Sequence, residues 1–338
     1  MFNNLPLFLI FFFFFFFGLV NGRWQYDEDA VVSVPTIHVD HSGLTTNFKT
    51  IQSAIDSIPS NNLRWIRISI KPGVYKEKVT IPGDKQYIYL KGEGTKRQRP
   101  IVVWDESQSL LASPTFSSNA DNIKVENLHF VNSYNYPPKK SGGAPMKQAV
   151  AAMITGDKTA FYRCGFSGVQ DTLLDAMGRH YFKHCTIEGA VDFIFGAGQS
   201  IYEECRIVVN AGSIGEGTIG YITAQGRSRA QDSNAFVFKN SEVVGNGRAL
   251  LGRAWRSYAR TIFYNSSLSN IVVPQGWDSW SNKDYEHQLT FAEVECYGPG
   301  SDTSKRVPWE ARLSQEMVKY FTSMDFIDGD QWIRKQPY

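Results

Sequence analysis

A chain of 338 residues with 35 basic and 33 acidic side chains has a formal charge of +2. That length suits one large domain or two ordinary ones, and the near-neutral balance argues against nucleic acid as the main partner. Four cysteines without a C-x-x-C pair argue against a zinc site of that kind and are few for a disulfide scaffold.

Residues 5–20, LPLFLIFFFFFFFGLV, form an apolar run followed by the small residues of VNG. The pattern predicts a secretory signal over 1–22, cut near Gly22, and hence a secreted, extracellular protein. An uncleaved membrane anchor is the alternative, since no Lys or Arg precedes the run. No later segment is apolar enough over sufficient length to span a bilayer, so no membrane association is expected after cleavage. Residues 23–35 make a short extension, and 36–338 contain no linker-like stretch and read as one domain. One or two disulfides are open to a secreted chain, with connectivity undetermined.

In 47–59, NFKTIQSAIDSIP, the apolar residues Phe48, Ile51, Ile55 and Ile58 have helical spacing. Asn47 is the expected N-cap and Pro59 the stop. Then similar short segments recur: NLHFVNS (127–133), FYRCGFSG (161–168), YFKHCTIEG (181–189), IYEECRIVVN (201–210), FVFKNSEVVG (236–245) and TIFYNSSLSN (261–270). Each alternates apolar residues around a small or polar corner position and usually stops at Gly or Asn, which is strand patterning. Cys164 to Cys185 is 21 residues and Cys185 to Cys205 is 20. A β-patterned period near 20 predicts coils stacked into a parallel β-helix, with an antiparallel sandwich as the alternative. Stacking also offers the cysteines a packing role at one corner. The 47–59 helix would then cover the open end of the stack. NYPPKKSGGAP (135–145) reads as a surface loop, and 309–324 as a helix near the C-terminus.

Asp192 lies in the apolar run AVDFIFGAG, and Asp171, in QDTLLD, precedes it by one period of 21 residues. Equivalent positions on adjacent coils are about 4.8 Å apart. Two carboxylates at that range resist joint ionisation, which leaves one ionised nucleophile or base and one protonated acid. Gln148 and Gln170, 22 residues apart, would stack beside them and could donate to an oxyanion. In an ideal strand Gln170 and Asp171 point to opposite faces, so a shared site requires a bend there. A structural Asp or Gln ladder, or a turn-capping Asp, is the bland reading. LGRAW (251–255) sets Arg253 and Trp255 on one side of a strand. The guanidinium could hold a carboxylate and the indole could receive a sugar ring; ordinary surface stacking is the alternative. GEGTIG (215–220) precedes a strand pattern rather than a helix, so it lacks the dinucleotide-binding context. HVDH (38–41) has no third metal ligand nearby, and neither G-x-S-x-G nor H-E-x-x-H occurs. The N-glycosylation pattern at Asn265 falls within a repeat strand.

From about residue 36 to the C-terminus these motifs resemble the plant-type pectin methylesterases, or pectinesterases. The likeness rests on GVYKEKV (73–79), QAVA (148–151), FYRCGFSGVQDTLL (161–174), GAVDFIFG (189–196), YITAQGR (221–227), LGRAW, YGPGS (297–301), RVPW (306–309) and FIDGDQWI (326–333). The resemblance implies an all-β, right-handed parallel β-helix with short capping helices at both ends. It implies cofactor-free demethylation of galacturonosyl methyl esters in methylated homogalacturonan of the cell wall, by a monomer, with release of methanol. By motif, Asp192 would be the nucleophile, Asp171 the acid and then base, and Gln170 the oxyanion donor. Gln148, Arg253, Trp255 and, through the less specific SPTF, Thr115 would serve substrate binding. In that reading Arg253 also holds Asp192 ionised. A proteinaceous pectinesterase inhibitor is a candidate partner. The family usually has Pro at Ala254 and Leu at Ala152, and the first of these changes bears on loop rigidity. The 13 residues between Gly22 and the motif-bearing region leave no room for the inhibitor-like pro-region of many relatives. Competing functions are a calcium-dependent lyase or a glycosidase on a similar coil, or a silent pectin-binding paralogue.

Overall fold

Each turn of the chain lays down three short strands, one for each of three parallel sheets, before the next turn stacks upon it. The computed structural model describes residues 34–43, 48–138 and 146–338. The expected signal, most of the extension, Asn47 and most of the 135–145 loop lie outside the described residues. The first sheet has ten strands, from Thr36–Val39 to Thr290–Val294. The second has eight, from Val79–Ile81 to Trp277–Asp278, and the third eight, from Val74–Lys76 to Ser267–Leu268. Successive members of a sheet come from successive coils, and the fold is the right-handed parallel β-helix.

The repeated segments straddle one corner of this coil. Phe161, Phe182, Tyr202, Phe238 and Phe263 occupy equivalent places in the first sheet and stack with centroids 5.0, 4.6, 4.7 and 4.4 Å apart. Strand spacing dictates that ladder. Each ring, fully buried, contributes about 1.5–3 kcal/mol. At the corner that follows, Asn127, Arg163, His184, Glu204, Asn240, Asn265 and Glu295 all take a left-handed φ between 44° and 56°. The next residue turns inward: Leu128, Cys164, Cys185, Cys205, Ser241, Ser266 and, half-buried, Cys296. All four cysteines are free thiols, and the corner-packing role is the one they have. Asn265, exposed at the same corner, donates its side-chain amide to Asn240 Oδ1 at 2.8 Å.

The N-terminal helix spans Ile51–Asp56, and its cap is Thr50, whose hydroxyl accepts from the Ser53 N–H. Ile51, Ala54 and Ile55 face the core at the first coils. Near the C-terminus the helix begins at Gln315 rather than 309, capped by Ser314, and ends at Thr322. The residues before it are drawn off by the last coil, where the Ala311 N–H donates to the Phe291 carbonyl. A short helix follows at Asp325–Asp328. Phe321, Phe326, Ile327 and Trp332 then cover an apolar outer face of the first sheet around Tyr181, Ile201 and Val237.

Candidate active site

The carboxylates lie where the second sheet departs from regular geometry. Leu173 pairs with Ile194 and Gln170 with Val191, so Asp171 and Asp192 are in register. Both are left-handed, with φ of 63° and 48°, a conformation aspartate tolerates better than most residues. At Asp192 the pairing to the next strand slips by one residue between Val191 and Ile194. Such a bulge re-aims a side chain. The bend required for Gln170 and Asp171 to share a site is therefore present.

The two carboxylates sit in unequal surroundings. Arg253 Nε donates to Asp192 Oδ1 at 2.7 Å, and a second guanidinium nitrogen donates to Oδ2. Burial raises the Asp192 pKa and this fork opposes the rise. Burial pulls the guanidinium's own pKa down, but the carboxylate outweighs that and the net shift is up. Among the described residues Asp171 forms no ion pair, although the Arg253 charge lowers its pKa from a distance. Burial, reinforced by the Asp192 charge, pushes its pKa from 3.8 up to about 7, against a hydrogen bond from Gln148 Nε2 at 2.7 Å. The net shift at Asp192 is still upward, but the arginine fork favours its ionised form, while Asp171 gives up its proton only around pH 7.

Other expected residues fall less evenly. The Ala149 N–H donates to the Gln170 carbonyl, the parallel-ladder bond that sets Gln148 opposite Gln170 as the 22-residue spacing predicts, and the Gln148 amide donates to Asp171. The Gln170 side chain is half-buried and bonds to no other described residue, which leaves its N–H groups available. Thr115 is fully buried, and its hydroxyl donates to the Val131 carbonyl at 3.0 Å. Trp255 is half-buried over Gly226, where a Cβ would come within 2.9 Å of the ring, and faces Phe195 at 6.0 Å. The Ala254 carbonyl accepts from buried Asn282 Nδ2 at 2.9 Å, so this chain fixes the segment without the usual proline. Tyr221, Asp278 and Trp280 surround Arg253 and were not singled out from the sequence. YITAQGR held the only signal for one of them. Among the described residues no group of three His, Cys, Asp or Glu side chains is placed to hold a metal ion.

An arginine-paired carboxylate in register with a second carboxyl of raised pKa, on adjacent coils of a β-helix, is an arrangement suited to hydrolytic or eliminating acid–base chemistry. The family model described as Pectinesterase matches residues 36–330. Probable pectinesterase 55 of Arabidopsis thaliana is 52% identical over 300 residues, covering 88% of this chain and 90% of that one. The solved pectin methylesterase from carrot superposes with a TM-score of 0.83 at 29% identity, covering 92% of this chain and 98% of that one. A pectin methylesterase in complex with a hexasaccharide gives 0.75 at 25% identity, over 88% and 98%. The chain belongs to the pectinesterase family and is an enzyme of that activity.

Proposed function

We propose that the protein is secreted to the cell wall and hydrolyses galacturonosyl methyl esters of pectin, releasing methanol, with Asp192 as nucleophile and Asp171 as acid and base. An Asp192 oxygen attacks the ester carbonyl carbon, and the carbonyl electron pair moves onto oxygen, where Gln170 donates to it. Collapse breaks the bond to the methoxy oxygen, which takes the Asp171 proton and leaves as methanol. The galacturonosyl acyl group is then held on Asp192. Asp171, now a carboxylate, takes a proton from water as the oxygen adds to the acyl carbon, and the second collapse frees the acid and Asp192. Arg253 holds the nucleophile ionised, Gln148 orients Asp171, and Trp255 offers a platform for a sugar ring.

The observation that carries this reading is the contrast between Asp192, paired with arginine, and Asp171, protonated to about pH 7. The hexasaccharide bound to a related methylesterase supports a polymeric sugar as the substrate. The test is incubation with methylated pectin while following methanol and polymer length. Methanol release at constant length is expected. Shortened chains, with or without unsaturated ends, and no methanol would sink the reading in favour of a lyase or glycosidase.

A further inference from the structure

The fork to Asp192 is not all that holds Arg253. The guanidinium carbon lies 4.1 Å from the centre of the Tyr221 ring and 3.7 Å from that of Trp280. Both rings therefore lie within cation–π reach of the one guanidinium. Strand Ile219–Gln225, immediately before that of Arg253 in the second sheet, supplies the tyrosine.

Several features of the chain converge on the indole. Trp277 and Asp278 pair with Gly252 and Arg253, which brings the next coil alongside. Asp278 Oδ1 accepts the Trp280 N–H at 2.7 Å, closing a tight turn. Trp280 itself takes φ of 51°, which a bulky side chain keeps only where its surroundings over-determine it. Asn282 then ties the segment back to the Ala254 carbonyl, one residue beyond Arg253. Trp280 is nevertheless 44% exposed, so burial of the indole is not what fixes it there.

We propose that Tyr221 and Trp280 are positioning residues that clamp the Arg253 guanidinium between their rings and so hold the Asp192 carboxylate at the angle needed for attack. The idea rests on Asp192 being the nucleophile. Guanidinium stacks well on aromatic faces, and a desolvated pair affects an equilibrium by several-fold to about thirtyfold. A bidentate bond fixes the guanidinium and carboxylate relative to each other; the rings fix that unit relative to the sheet. Asp278, Tyr221 and Asp171 are the other titratable groups at the pair.

The test is a double-mutant cycle on methanol release from methylated pectin. Trp280→Ala is expected to lower kcat about tenfold with KM changed less than about twofold, since positioning acts on the chemical step. Trp280→Phe restores most of the loss because a ring face remains. In an Arg253→Lys background, Trp280→Ala costs less than about twofold more, because the planar cation is gone. Tyr221→Leu, the second variant, removes the other ring and lowers kcat in the same direction. A rise in KM at unchanged kcat would make Trp280 a sugar platform and overturn the clamp. So would a full additional loss in the Arg253→Lys background, or no loss in either ring variant. The reading beneath it fails separately, through an active Asp192→Asn enzyme.

Discussion

In the proposed reaction Asp171 is the residue whose charge state matters most. As the acid it must carry its proton, so kcat/KM falls as pH rises through about 7. A rate profile across pH 4–9 checks this, and a flat profile above pH 7 would rule Asp171 out as the acid. The same group leaves a mark on stability. Its folded pKa, about 7, lies above the ordinary 3.8, so the native state holds the extra proton between those values. Stability therefore declines as pH rises across that window, by on the order of 2–4 kcal/mol, and Asp171→Asn removes the decline. Denaturant titrations of both proteins at pH 4.5 and pH 8 measure it. The carboxylate pair was legible because a stacked coil turns a period of 21 residues into proximity. The Arg253 contact was not, because 61 residues separate it from Asp192: the two coils between them take 30 residues, from Val191 to Tyr221, and 29, from Thr223 to Gly252, rather than 21, and a long side chain then crosses the intervening strand. The burial of Thr115 was equally hidden, since a local motif carries no information about exposure.

At the scale of elements, alternation located the strands and the corner, while the departures from regularity that build the site stayed hidden. A bulge at Asp192 has no composition signal in AVDFIFGAG beyond the aspartate itself, and Asp171 gives no sign of its left-handed backbone. The helix starts were displaced for a related reason. Spacing marks an apolar face, but caps and competing sheet edges set the ends, as Thr50 and the Ala311–Phe291 bond show. Gly196, which closes the strand carrying Asp192, tests how closely that strand is fixed. Its φ is 122°, and a Cβ there would stand 1.9 Å from the Asp175 carbonyl oxygen of the preceding coil. Gly196→Ala is expected to destabilise by about 3 kcal/mol or more, because both the backbone angle and the close approach forbid a side chain. The urea midpoint measures this; an unchanged midpoint would mean the coils separate more easily than their register implies.

At the scale of the whole molecule, the stack is a device for bringing distant segments to one flank. Adjacent coils supply Asp171 and Asp192, two later ones supply Tyr221 and Arg253, and the next supplies Trp280. The fold class was readable because each coil repeats the same corner and the same aromatic rung. The coil lengths between those rungs were not, since loops that leave the stack obey no period. The central claim is that Asp192 attacks the ester while Asp171 handles the proton. Its most direct test is methanol release from methylated pectin by the wild-type protein and by Asp192→Asn, with folding of both verified by their unfolding transitions. The account predicts methanol from the wild type and a loss of about 10³-fold or more in kcat for the variant. A folded Asp192→Asn protein that releases methanol at the wild-type rate would contradict it.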